Sequence, residues 1–292
     1  MTLTIKTLDF GRAIADSSFM VRGRAQGILV SAPVYGYLIL GGQKPIVVDA
    51  GYRNADVLNR VGMETDFSAE NSMEAQLDRY GVQIEEVGAV IATHLHADHA
   101  GGFYTFPSST PLVVNRREIE VAASGIQGPM YAHEDMSHIM ERAFVPGGVQ
   151  YLDLDLTGSV EVAPGVRCEL SGGHTEGSLA IYVDTPEGVA CICGDIVYDI
   201  QDQLVAPLLE LGYLEPGVSS NFTPSVRQEK AAIKRALSKS DFLLPSHDRG
   251  ARVEDGRIVG RLDGDIPGAV EPLPASGGYR EVKIPEGAGV NS

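Results

Sequence analysis

The apolar positions of this chain fall into two successive series of short runs, each interleaved with amphipathic stretches. In the first series Tyr35 to Leu40 and Pro45 to Val48 are β-rich runs, and Gly41-Gly42-Gln43-Lys44 between them predicts a hairpin. Ile46-Val47-Val48 then leads into Asp49-Ala50-Gly51. Asn71-Ser72-Met73-Glu74 opens a helix with a cap-type residue, followed by Met73, Leu77 and Tyr80 at helical spacing, and Gly81 supplies the stop. Val87 to Thr93 predicts a buried strand, Leu112 to Val114 a short one, Arg116 to Ala123 a helix, and Glu134 to Phe144 a weaker helical stretch. In the second series Val166 to Leu170, Ser178 to Val183 and Gly188 to Cys193 read as strands. Ser225 to Ser238 forms an amphipathic helix after Thr223-Pro224, and Asp241 to Leu244 is a last core strand. Two sets of strands, each with its own helices, predict an α/β fold of two β-sheets packed face to face with helices outside.

Composition supports a folded enzyme-sized unit. The 292 residues are 43% hydrophobic and 21% charged, which excludes disordered, collagenous and coiled-coil classes. No internal repeat divides the chain, so a single domain over 1–292 is expected, with its core over about 35–248. After His247 the apolar pattern thins, and 249–292 reads as a partly ordered Gly/Pro-rich C-terminal segment. A net charge of −16 disfavours nucleic acid and anionic membrane surfaces as partners. Cys168, Cys191 and Cys193 form no disulfide scaffold, since Cys191 and Cys193 share one face of a strand. With neither a leader pattern nor 18 consecutive apolar residues, the expected setting is cytoplasmic.

The densest chemistry is Thr93-His94-Leu95-His96-Ala97-Asp98-His99, directly after the buried run that ends at Thr93. Four metal-ligand side chains within six residues have little structural benefit, whereas imidazole nitrogen and carboxylate oxygen together suit Zn²⁺, Fe²⁺, Co²⁺ or Mn²⁺. Three more residues of the same types follow, each just past a strand-like run: His174 in Gly172-Gly173-His174-Thr175, Asp195 in Cys193-Gly194-Asp195, and His247 in Pro245-Ser246-His247-Asp248. Seven such side chains suffice for two adjacent ions, which can share a hydroxide near neutral pH.

In the order and context of these segments the chain resembles the metallo-β-lactamase superfamily, from about Tyr35 to Asp248. The resemblance implies an αββα sandwich. It places His94, His96 and His174 on one metal, Asp98, His99 and His247 on the other, and Asp195 between them, with zinc the first expectation. Asp49, in an Asp-Ala-Gly where relatives often have Asp-Thr-Gly, would orient a ligand histidine from behind.

Departures narrow the branch. The best-known β-lactamases carry a thiolate at the second metal, and no cysteine enters this pattern. The superfamily's nucleases carry a large inserted domain and favour positive surfaces. Its glutathione-thioester hydrolases carry a helical C-terminal domain that the segment after His247 does not resemble. Tyr198, three positions after Asp195, matches the N-acyl homoserine lactonase-like branch. That likeness implies a quorum-quenching hydrolase that opens a lactone ring with a hydroxide bridging two metal ions. Tyr198 would donate to the carbonyl oxygen, and Asp98 or the second metal would meet the released alkoxide. The expected partner is a small-molecule substrate, and a homodimer stays open. The alternatives are the same chemistry on a vitamin-derived lactone, simple ester, aryl halide or phosphoester, or a non-catalytic metal-binding protein. His133 and His138, five apart, read as surface residues. Met130, Met136, Met140 and Phe144 read as packing of a short helix, or else as pocket lining.

Overall fold

Thr4–Asp16 forms β1, the longest strand among the described residues, and its sequence hides it. Leu8 and Phe10 point to the same side as Ala13 and Ala15, because the register slips between Asp9 and Arg12 and Gly11 takes φ 94°. A bulge of this kind shifts the buried positions from even to odd numbers and destroys the alternation that would reveal a strand. The computed structural model describes residues 2–206, 215–219 and 224–273.

β1 belongs to a sheet completed by β2 (Leu29–Leu40), β3 (Ile46–Val48), β4 (Glu64–Asp66), β5 (Ala89–Ile91), β6 (Leu112–Asn115) and β7 (Val149–Leu152), in the order β4-β1-β2-β3-β5-β6-β7. The hairpin expected around Gly41–Lys44 is present as the antiparallel β2–β3 pair, and β3, β5, β6 and β7 run parallel. The second sheet holds β8 (Ser159–Ala163), β9 (Val166–Leu170), β10 (Leu179–Thr185), β11 (Gly188–Gly194), β12 (Phe242–Pro245), β13 (Ala251–Glu254), β14 (Arg257–Leu262) and β15 (Val270–Pro272). Its one parallel pair is β11–β12.

The helices are α1 (Ser17–Met20), α2 (Ala55–Asn59), α3 (Met73–Asp78), α4 (Ala97–Ala100), α5 (Arg116–Ala123), α6 (His133–Ala143), α7 (Leu154–Thr157) and α8 (Val226–Lys239). Ser72 and Ser225 cap α3 and α8 by accepting from the backbone N–H three residues on. Between the sheets lies an apolar layer that includes Ile39, Val48, Ile91, Ile181 and Ile192. Leu58, Leu77, Val121 and Ile139 pack helices on the outer face of the first sheet, while Ala232, Ile233 and Ala236 of α8 pack on Cys191 and Cys193 of the second. The architecture is an αββα sandwich, with the two cysteines on one strand face, reduced and buried.

Phe242–Pro245 is not the last strand. Asp255-Gly256, at φ 50° and 73°, turns β13 into β14, with Glu254 paired to Arg257. Two consecutive left-handed residues are the hairpin geometry that Asp-Gly favours. Val253 and Leu262 are buried, so the sparse apolar pattern after His247 is three antiparallel strands at the edge of the second sheet, at least to residue 273. The rest of the expected C-terminal segment, and Thr223, lie outside the described residues. Among the described residues no helix is long and apolar enough to cross a membrane.

The inter-sheet layer carries a stability prediction. Ile192 is fully buried there, so Ile192→Ala removes about 2–5 kcal/mol through lost burial and the cavity left behind. Val259, 39% exposed, should tolerate alanine within about 0.5 kcal/mol. Urea unfolding in chelator measures both, and equal shifts would contradict this placement of the core.

Candidate metal centre

The loops that carry the candidate ligands leave strand ends at one edge of the sandwich. Asp49 follows β3, the segment 93–99 follows β5, 194–198 follows β11, and 246–248 follows β12; His174 lies in the turn joining β9 to β10. In such sheets the carboxyl ends of parallel strands are where ligands are usually held. Gly101 and Gly102 set the depth of the first loop: a side chain at either would run into the backbone of Ala50, Tyr52 and Arg53. The close approach lets His99 O accept from Ala50 N–H at 2.8 Å and Gly51 O accept from Gly101 N–H at 2.9 Å.

All seven candidate ligands are buried and come together. Three groups could each hold a cation, with ligand atoms within 4.8 Å of one another: His94, His96 and His174; Asp98, His99 and His247; and His94, His99 and Asp195. Asp195 spans the first two. Its Oδ2 lies 3.8 Å from His94 Nε2 and 3.5 Å from His174 Nε2, while its Oδ1 lies 3.2 Å from His99 Nε2 and 3.3 Å from His247 Nε2. Asp98 faces His247 Nε2 at 3.3 Å and His99 Nε2 at 3.7 Å. His133 is exposed and His138 half-buried on α6, and neither joins the cluster.

The far nitrogens are tied down. His99 Nδ1 donates to Asp49 Oδ2 at 2.8 Å, and His247 Nδ1 donates to Pro33 O at 2.8 Å. Thr93 Oγ1 donates to Asp49 Oδ2 at 2.7 Å and lies 3.1 Å from His94 Nδ1, whose proton it accepts. Each of these bonds leaves an Nε2 lone pair facing the centre. Those nitrogens of His94, His99 and His247, with both Asp195 oxygens, are buried atoms with no hydrogen-bond partner. Unpaired, each would cost about 1–3 kcal/mol, and more where charged. Divalent cations satisfy all five, and the nitrogen and carboxylate-oxygen donor set fits transition metals such as zinc.

Charge follows the geometry. Burial lowers His96 to about 4 and His174 to about 3, although Asp195 and Asp98 pull the other way. Burial also lowers His94, and repulsion from His99 and His96 adds to it. Burial opposes charge on His99 and His247 too, but Asp195 and Asp98 outweigh it, raising His99 well above the ordinary range and His247 to about 10. Asp98 is held at about 2, because His99 and His247 overcome the desolvation that would raise it. A cation bound beside Asp98 therefore competes with protons for these groups.

A second buried carboxylate braces the opposite side. Glu118 of α5 accepts from Leu95 N–H at 3.0 Å, Tyr131 OH at 3.0 Å and Thr175 Oγ1 at 2.6 Å, joining the His94–His96 loop to the His174 turn. Burial pushes its pKa up, against those three donors. Sequence reasoning missed Glu118, because a glutamate in a helix that also carries Arg116, Arg117 and Glu120 reads as solvent-facing.

Above the cluster opens a cleft of about 330 Å³. His96, Asp98, His174, Tyr198 and His247 form its floor; Ala13, Phe19, Met20, Val61, Met63 and Met130 supply apolar walls; Arg60 stands among the lining residues and pairs with Glu134 at 2.8 Å. Tyr198 stacks on His247, with centroids 4.8 Å apart and planes 9° apart, and meets His174 edge-on. Of the four residues weighed as pocket lining, Met130 alone lines the cleft; Met136 packs on the core, and Met140 and Phe144 are exposed. The walls from α1 and the 61–63 turn had no signal in the sequence, since short apolar runs there look like any core segment.

Known proteins resemble this chain in sequence and in fold. The family profile of the metallo-β-lactamase superfamily matches residues 32–247. An N-acyl homoserine lactonase of Bacillus cereus is 30% identical over 209 residues, covering 67% of this chain and 78% of that protein. Two solved structures share the fold. An N-acyl homoserine lactone hydrolase with N-hexanoyl-L-homoserine bound at its catalytic metal centre has a TM-score of 0.62 at 24% identity, covering 80% of this chain and 88% of that one. A dizinc quorum-quenching lactonase with a product bound has a TM-score of 0.60 at 15% identity, covering 95% and 96%. The chain belongs to the metallo-β-lactamase superfamily, in its N-acyl homoserine lactonase-like branch.

Proposed function

We propose that this protein is a dinuclear metal-dependent hydrolase that opens the ring of N-acyl homoserine lactones. One observation carries the reading: Tyr198 stacks on His247 at the floor of an apolar-walled cleft, directly over two His/Asp groups joined by Asp195. A polar reactive floor under apolar walls suits a small polar ring with an acyl tail. The lactonase relatives, named for that substrate class, support the same conclusion.

His94, His96 and His174 would hold one ion, Asp98, His99 and His247 the other, with Asp195 shared between them. Bound there, two divalent ions supply Lewis acidity and water of lowered pKa. The chain's own groups do the rest. Burial, together with the Asp195 and Asp98 carboxylates, holds the Tyr198 phenol well above its ordinary pKa, so it keeps its proton at neutral pH and donates to the carbonyl oxygen as charge grows there. Asp98, ionised and lining the cleft, accepts a proton from the attacking water. When the ring C–O bond breaks, that proton passes to the leaving alkoxide, and the new carboxylic acid releases its own to solvent. The apolar walls hold the acyl chain and keep bulk water from the reacting carbonyl.

Two measurements test this. Acid release from short-chain and long-chain acyl homoserine lactones, compared with aryl esters and phosphoesters, should give the highest kcat/KM for a lactone. A higher value for a phosphoester or aryl ester would overturn the substrate assignment. Tyr198→Phe retains the stacked ring and removes one hydrogen bond to a developing charge, about 1.5–3 kcal/mol. The expected loss in kcat/KM is roughly 10–150-fold, mostly in kcat, with metal content unchanged. Full lactonase activity in Tyr198→Phe would mean that the phenol only packs.

A further inference from the structure

Among the described non-glycine residues, Asp49, Gln127 and Asp255 have left-handed backbone, with φ of 57°, 59° and 50°. Asp255 is explained by its hairpin turn. The other two each stand behind an imidazole of the metal cluster. Asp49 accepts from His99 Nδ1, and Gln127 Oε1 lies 3.1 Å from His96 Nε2. Asp tolerates this conformation, but Gln rarely adopts it, and strained residues persist where their surroundings over-determine them. Gly125, two residues earlier, takes a left-handed backbone at φ 76° as a glycine, whereas the second left-handed position of this turn holds a glutamine.

The two nitrogens of His96 explain why. Nδ1 faces His174 Nε2 at 3.1 Å and so points into the group formed with His94, while Nε2 points away, to Gln127. An amide oxygen can only accept, so the contact keeps the His96 proton on Nε2 and presents the Nδ1 lone pair to the cluster. We propose that Gln127 is a positioning residue that fixes the tautomer and ring orientation of His96 for metal binding. The inference rests on the reading of His94, His96 and His174 as one metal group. It also assigns an asymmetry to the centre: a carboxylate backs His99, whereas a neutral amide backs His96 and polarises that ligand less. Gln127 lines the cleft as well, so the His96 side is braced from the substrate wall.

Glycine suits a left-handed backbone, so Gln127→Gly removes the amide without demanding a backbone change. Zinc titration by competition with a chromophoric chelator should show the wild-type chain binding two ions. Gln127→Gly should lose about 10–100-fold in affinity for one ion and leave the other unchanged. The melting temperature of the chelated protein should stay level or rise, which separates loss of a ligand brace from loss of fold. Gln127→Glu, which restores an acceptor, should recover the tighter binding. In a His96→Ala background, Gln127→Gly should have no further effect. Unchanged affinity for both ions, or an equal loss with and without His96, would overturn the proposal. Absence of zinc binding in the wild type would instead overturn the metal reading, and this inference with it.

Discussion

The Asp49 carboxylate accepts three hydrogen bonds, from Thr93 N–H, Thr93 Oγ1 and His99 Nδ1, at 2.8, 2.7 and 2.8 Å. Through Thr93 Oγ1 it also orients His94. One side chain thereby aims two imidazoles on opposite sides of Asp195, and it does so from the end of β3 across to the end of β5, its parallel neighbour. The remaining arrangement follows from this fixed edge. Asp195, entering from the second sheet, finds two histidine nitrogens on each side, one carboxylate oxygen facing each pair.

The sandwich supports the cluster from below, and other segments form the cleft above it. The histidines and aspartates leave strands whose inner faces pack in the inter-sheet layer, so their positions are set by the core. Glu118 adds a second anchor by tying α5 to both the His94–His96 loop and the His174 turn. The cleft walls come from elsewhere: α1, the turn at 61–63, and the short segment around Gln127 to Met130. Most of the cleft wall thus comes from pieces of chain other than those that carry the candidate ligands, and Gln127, which reaches His96, joins the two.

Much of the site was legible because the candidate ligands fall into short, dense segments. His94 to His99 occupy six consecutive positions, and His174, Asp195 and His247 each follow a recognisable strand, so residue type and local context were enough to group them. The sandwich was legible for a related reason: strands such as β10 and β11 are apolar over most of their length. What escaped depends on distant contacts. β1 was hidden by the bulge at Gly11, and β13 to β15 by short edge strands whose buried positions are few. Glu118 acts through burial that only the packed helix creates, and Gln127 through a backbone conformation that no local pattern announces.

Seven buried side chains offer one candidate centre for two ions. Metal content is its most direct measure. The purified chain, loaded with zinc and freed of excess metal, should hold close to two ions, and chelation should abolish hydrolysis of the proposed lactone substrate. A chain that holds one ion with full activity, or remains active without any metal, would contradict a two-ion centre.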